Sequence, residues 1–115
     1  MRLDHVSYLQ IEVSNLDRSF RWYRRMLGLV PAGPGRLKGG LLLLSLVEGT
    51  VARARAFRFG VACSSRREVR AWRAHQDNNA GMPTPITERE GRYGFTIADP
   101  DSYVLEFFTA APEEE

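Results

Sequence analysis

Gly94-Phe95-Thr96-Ile97-Ala98-Asp99-Pro100-Asp101-Ser102-Tyr103-Val104-Leu105-Glu106-Phe107-Phe108 reads as two strands joined by a tight turn. Proline presets φ in the Asp-Pro-Asp segment, and the aspartates can bond their own backbone. Because side chains alternate across a strand, Val104, Glu106 and Phe108 share one face, while Tyr103, Leu105 and Phe107 share the other. One carboxylate thus stands among apolar neighbours, where burial without a partner is costly. Glu106 needs a ligand, an ion partner or water in a cleft. Tyr8 and Arg58 are the partners expected for it, since an arginine can pair bidentately with a carboxylate.

Working outward, the chain of 115 residues is long enough for one domain with one core. Its 43% apolar and 26% charged content is that of an ordinary globule. No stretch has the apolar length of a membrane span, and Met1-Arg2-Leu3-Asp4-His5 has no apolar signal region, so a cytoplasmic location is expected. A single cysteine, Cys63, excludes an internal disulfide framework and a multi-cysteine zinc site. A buried small side chain is the reading for it, since no base stands near it in sequence. The net charge of +2 does not call for nucleic acid. Arginines gather on two predicted helices, Arg18, Arg21, Arg24 and Arg25 on the first, Arg66, Arg67, Arg70 and Arg73 on the second. No nucleic-acid reader motif accompanies them, so they read as solvated faces.

From the N-terminus, Leu9, Ile11 and Val13 alternate with Tyr8, Gln10 and Glu12, the pattern of a strand with one buried face. Ser14-Asn15 can cap a helix in which Leu16, Phe20, Tyr23 and Leu27 recur at helical spacing, and Gly28 stops it. Trp22 falls beside that stripe, at a core edge. A short strand over 29–32, a Gly-Pro-Gly turn and a strand over 41–47 follow, with little room for another strand between Arg36 and Gly40. Thr50 to Arg55 is a polar connection. Phe57, Phe59 and Val61 then restart the pattern, with Ala56, Arg58 and Gly60 on the other face. Ser65-Arg66-Arg67-Glu68 has capping-box spacing before a helix that carries Val69 and Trp72. Pro83 and Pro85 stiffen the link to the final hairpin.

Strand, helix, strands is therefore said twice, with a seam near residue 53, and neither copy could bury a face alone. At Leu16-Asp17-Arg18-Ser19-Phe20-Arg21-Trp22-Tyr23-Arg24-Arg25-Met26-Leu27-Gly28-Leu29 the chain resembles the DLxRSxxFYxxxLGL stretch of the vicinal oxygen chelate superfamily. That superfamily includes glyoxalase I, fosfomycin-resistance proteins, extradiol dioxygenases and bleomycin-resistance proteins. Asp99 to Glu106 resembles its DPDGNxxE ending, with Ser102-Tyr103 in place of Gly-Asn. The resemblance implies an α+β fold of two βαβββ units, about 1–52 and 53–111, followed by an acidic tail, 112–115. A curved, mostly antiparallel mixed sheet would surround a concave cleft, with the helices outside.

Metal-dependent members of that superfamily place ligands on the first and last strands of each unit. Counting back from Leu16 puts the first such position at Tyr8 rather than His5, which lies three residues earlier on the opposite pleat face. A bulge would be needed to re-aim His5. In the second unit the count lands on Ala56, and laying Leu44-Ser45-Leu46-Val47 over Leu105-Glu106-Phe107-Phe108 pairs Ser45 with Glu106. Tyr8, Ser45, Ala56 and Glu106 do not make the usual donor set for a divalent ion. Glu12, Glu48 and His75 lie outside those positions.

The expectation is a metal-free small-molecule binding protein of the bleomycin-resistance kind, without a cofactor. Its cleft would be lined by Tyr8, Gln10, Glu12, Ser45, Arg58, Thr96, Val104, Glu106 and Phe108. The resemblance implies a homodimer. The alternatives are a lyase, isomerase or dioxygenase-like enzyme using Glu106, with a divalent metal in its metal-dependent form, and an interaction module that uses the arginine-rich helices.

Overall fold

The computed structural model describes residues 1, 3, 6–51 and 57–113. His5 and Ala56, two of the residues weighed above, lie outside the described residues, as does most of the 50–55 connection. The chain divides into two compact units, Met1–Ala52 and Arg53–Glu115. No helix among the described residues is long and apolar enough to cross a membrane.

The first unit runs β1 (Tyr8–Val13), α1 (Leu16–Leu27), β2 (Val30–Gly33), β3 (Arg36–Gly39) and β4 (Leu42–Glu48). Asn15 caps α1 by accepting from the Arg18 amide at 2.9 Å, and Gly28 ends the helix at φ 66°, a left-handed conformation that glycine adopts without strain. Glu48, from the far end of the unit, accepts from the Leu16 amide at 3.0 Å and adds negative charge at the helix N-terminus. Tyr23 and Met26 are the buried residues of the apolar stripe, and Trp22 packs edge-on against Tyr23 with centroids 4.8 Å apart. The strand order is β1-β4-β3-β2, with β1 parallel to β4 and the other pairs antiparallel. As the central strand of that end, β4 needs an apolar run rather than a clean alternation, and Leu44, Ser45 and Leu46 are all buried.

The second unit repeats the scheme with β5 (Arg58–Ala62), α2 (Arg66–Asn78), β6 (Thr87–Arg89), β7 (Arg92–Ala98) and β8 (Val104–Thr109). Its order, β5-β8-β7-β6, has β5 parallel to β8 and the others antiparallel. Burial along β8 alternates as expected: Leu105 and Phe107 are buried, Val104, Glu106 and Phe108 half-buried. Phe107 is the centre of this core. It stacks on its cross-strand neighbour Phe95 at 5.0 Å and meets Trp72 of α2 at 5.1 Å, burial of the kind worth about 2–3 kcal/mol per large apolar side chain.

Ser65 caps α2 by accepting from the Glu68 amide at 3.1 Å, but the Glu68 carboxylate reaches past the cap to the amide and hydroxyl of Ser64. Those bonds hold the Glu68 carboxyl below the usual carboxylate range. Two strands differ from the sequence reading. Arg36–Gly39 is a strand after all, because Gly35 at φ 69° lets the chain reverse within a tight turn. Thr87–Arg89 forms an edge strand whose three side chains are all exposed, so no apolar alternation marks it in the sequence.

The arginines of α2 are not simply solvated. Arg66 pairs with Glu88 at 2.6 Å and lies over the Tyr93 ring, while Arg73 donates to the Thr84 carbonyl at 2.9 Å. The Arg66–Glu88 contact raises the guanidinium and lowers the carboxyl from their ordinary values. These contacts fasten β6 and the segment before it to the helix.

Candidate functional site

Glu106 lies on the face of the second sheet turned away from α2, between Thr96 of β7 and Gly60 of β5 in the ladder. Its side chain is 22% exposed, and both oxygens have cationic neighbours: Arg92 Nη1 at 3.0 Å and Arg58 Nη1 at 4.0 Å. Arg58 thus sits where the sequence put it. Arg92 supplies the shorter contact and was missed. Alternation back from Thr96 through Gly94 places Arg92 on the same face, so the signal was present in the strand period.

The reach of Arg92 has a local cause. Its guanidinium crosses the Phe108 ring, 4.9 Å from the centroid, before meeting Glu106. Gly94 stands between Arg92 and Thr96 on that face and offers no side chain to block the path. A Cβ at Gly94 would run into the Phe107 carbonyl oxygen and lie 3.0 Å from Phe108 Cβ. At Gly60 a Cβ would meet Phe108 Cε1 at 3.0 Å.

A cavity of about 510 Å³ opens over this face, lined by Arg58, Thr84, Pro85, Thr87, Arg89, Glu90, Arg92, Gly94, Phe95, Thr96 and Glu106. Thr84 is tied to β7 by its hydroxyl, which accepts from the Thr96 amide at 2.9 Å. Of the residues expected to line a ligand site, Arg58, Thr96 and Glu106 border the cavity. Val104 and Phe108 share their sheet face but are not among its lining residues.

In the first unit, Tyr8, Gln10 and Glu12 occupy the exposed face of β1, and Ser45 lies opposite Gln10 in the ladder. The Tyr8 hydroxyl donates to Gln10 Oε1 at 3.1 Å, so its hydrogen-bond partner is local. Ser45 is 7% exposed. Tyr8 pairs with Leu43, two positions before Ser45, just as Arg58 pairs with Val104, two before Glu106. With Ser45 laid on Glu106, the strand ladders make Arg58, rather than Ala56, the counterpart of Tyr8.

The other candidates have structural employment. Glu48 holds the start of α1, and His75 packs edge-on against Trp72 with centroids 5.7 Å apart. Cys63 is buried, and its thiol is pushed up to about 11, first by burial and then by the Glu68 charge, with a backbone hydrogen bond from Phe108 opposing. Burial and the Glu68 charge both disfavour its thiolate form. Among the described residues, no three His, Cys, Asp or Glu side chains gather as a metal's ligands would. Two guanidiniums beside Glu106 also oppose a cation at that carboxylate, so the described residues do not fit a divalent metal.

Two βαβββ units with matching strand order define the vicinal oxygen chelate fold, and this chain has it. Among solved structures it is similar to lactoylglutathione lyase from Agrobacterium tumefaciens, at 18% identity and TM-score 0.77, covering 95% of this chain and 96% of that one. It is also similar to a glyoxalase/bleomycin resistance protein/dioxygenase from Nocardioides, at 16% identity and TM-score 0.77, covering 95% and 85%. The fosfomycin resistance protein of Mesorhizobium loti aligns at 13% identity and TM-score 0.75, covering 94% and 93%. No family model and no curated protein matches the sequence.

Proposed function

We propose that this protein is a cytoplasmic small-molecule binding protein that sequesters its ligand without a metal, and that the Glu106 face of the second unit is the seat of binding. The observation that carries this reading is the engagement of Glu106 by Arg92 and Arg58, which puts cations where a metal-dependent site needs donors. The cavity volume, about 510 Å³, falls in the range typical of small-molecule sites. A homodimer belongs to the same reading: β1 and β5 are edge strands of their sheets, and Val6, Tyr8 and Phe57 beside them expose apolar surface.

Two measurements test it. Metal analysis of the purified protein is expected to find no stoichiometric Ni, Zn, Mn or Fe; finding one overturns the metal-free reading in favour of a lyase or dioxygenase-like enzyme. A thermal-shift ligand screen on wild type and Glu106→Gln is expected to give hits whose affinity depends on residue 106. Hits that bind both proteins equally remove Glu106 from the site.

A further inference from the structure

We infer that this cavity selects small organic anions, a carboxylate carried on a ring-sized body, and that Arg89 and Arg92 are the residues that read the charge. The inference rests on the reading above that the cavity is a ligand site. Its starting point is the hairpin between β6 and β7. Arg89 and Arg92 are direct cross-strand partners on either side of the two-residue turn Glu90-Gly91, whose φ values are 53° and 76°. Both positive φ values fit a hairpin turn that sets the flanking pair tightly in register. The register therefore sets two arginines directly across from each other on one face, a like-charge pairing that is unfavourable by itself and that an anion bound beside them relieves.

The surrounding charges do not cancel the pair. Three arginines (58, 89 and 92) and two glutamates (90 and 106) line the cavity, which leaves one positive charge in excess. Glu106 engages Arg92 through one guanidinium nitrogen and stands 4.0 Å from Arg58, whose side chain is 62% exposed. The Arg89 side chain makes no hydrogen bond or ion pair with another described residue. Each guanidinium carries five donors in a planar fork, so donors remain for a carboxylate from outside. The cavity's volume of about 510 Å³ leaves room for a ring-sized body beside these charges.

In this arrangement Glu106 is an internal carboxylate that an incoming one must compete with. Removing its charge frees Arg92 and relieves repulsion of the ligand. Glu106→Gln should then tighten an anion, the reverse of the loss expected if Glu106 itself bound the ligand.

The test uses three phenyl compounds of similar shape and different charge: benzoate, benzamide and benzamidine. Each is titrated into the full chain, and the amide signals of Gly94, Phe95 and Thr96 are followed by NMR. Benzoate is expected to shift them, with benzamide and benzamidine at least fivefold weaker. Arg89→Gln, at an exposed position, is expected to weaken benzoate about tenfold. Glu106→Gln is expected to tighten it about three- to tenfold. If benzamidine or benzamide shifts the same signals as strongly as benzoate, or Glu106→Gln weakens benzoate, the anion selectivity is overturned while the ligand site stands. If none of the three shifts these signals, the anion inference is overturned, and the ligand site is judged by the thermal-shift screen on wild type and Glu106→Gln.

Discussion

Replacing Asp99 by alanine removes the acceptor that holds the 99–103 turn closed. Asp99 is buried, and its Oδ1 accepts from the Asp101 and Tyr103 amides, each at 2.8 Å. The Tyr103 amide is in a buried bond, so losing its partner leaves a donor with no water to replace it. A hydrogen bond to a charged acceptor contributes about 1.5–3 kcal/mol, and the Asp101 amide, nearer solvent, recovers part of its share. The expected cost is about 2–4 kcal/mol, a large part of a marginal total of roughly 5–15 kcal/mol. That corresponds to a fall in Tm of roughly 8–15 °C for a chain of this size. Asp99→Asn keeps an oxygen at the same place and should cost less than about 1 kcal/mol by the same accounting. Urea denaturation of the three proteins, followed by far-UV circular dichroism, measures both differences. Equal losses in the alanine and asparagine variants, or an alanine variant within about 0.5 kcal/mol of wild type, would refute the assignment of the turn's stability to these two bonds.

Three further outcomes follow from the same structure. Ser102 sits at φ 75°, so Ser102→Gly relieves left-handed strain and should stabilise the protein by about 0.5–1 kcal/mol; a destabilised variant in urea would show that the serine side chain matters more than its backbone. At Gly94 a methyl group has no room against the Phe107 carbonyl, and Gly94→Ala should cost about 1–3 kcal/mol; a urea midpoint unchanged from wild type counts against that packing. The Cys63 thiol is raised in the folded chain from 9.0 to about 11, so its contribution is intact below pH 9 and is lost as pH climbs toward 11. Wild type should therefore lose stability faster than Cys63→Ala over that interval, and parallel curves would contradict the burial of the thiol.

How much of this was legible beforehand divides along physical lines. Period and punctuation are local, and they placed α1 from Leu16 to Leu27 with Asn15 and Gly28 at its ends, and put Glu106 on the half-buried face of its strand. The β6 strand has three exposed polar residues and takes its conformation from pairing with β7, which no local pattern records. Glu68 has capping-box spacing, yet its carboxylate accepts from the amide and hydroxyl of Ser64, one residue before the cap.

The chain's own order of residues determined the doubled βαβββ plan, the core-facing sets and the single acid among apolar neighbours, since each depends on a period of two or 3.6. Tertiary structure alone decided which cations meet that acid. Arg92 and Glu106 come together because strand register sets their distance and a glycine clears the path over Phe108. Register is a property of paired strands, and so is the opposition of Arg89 and Arg92 from which the cavity's charge preference is argued.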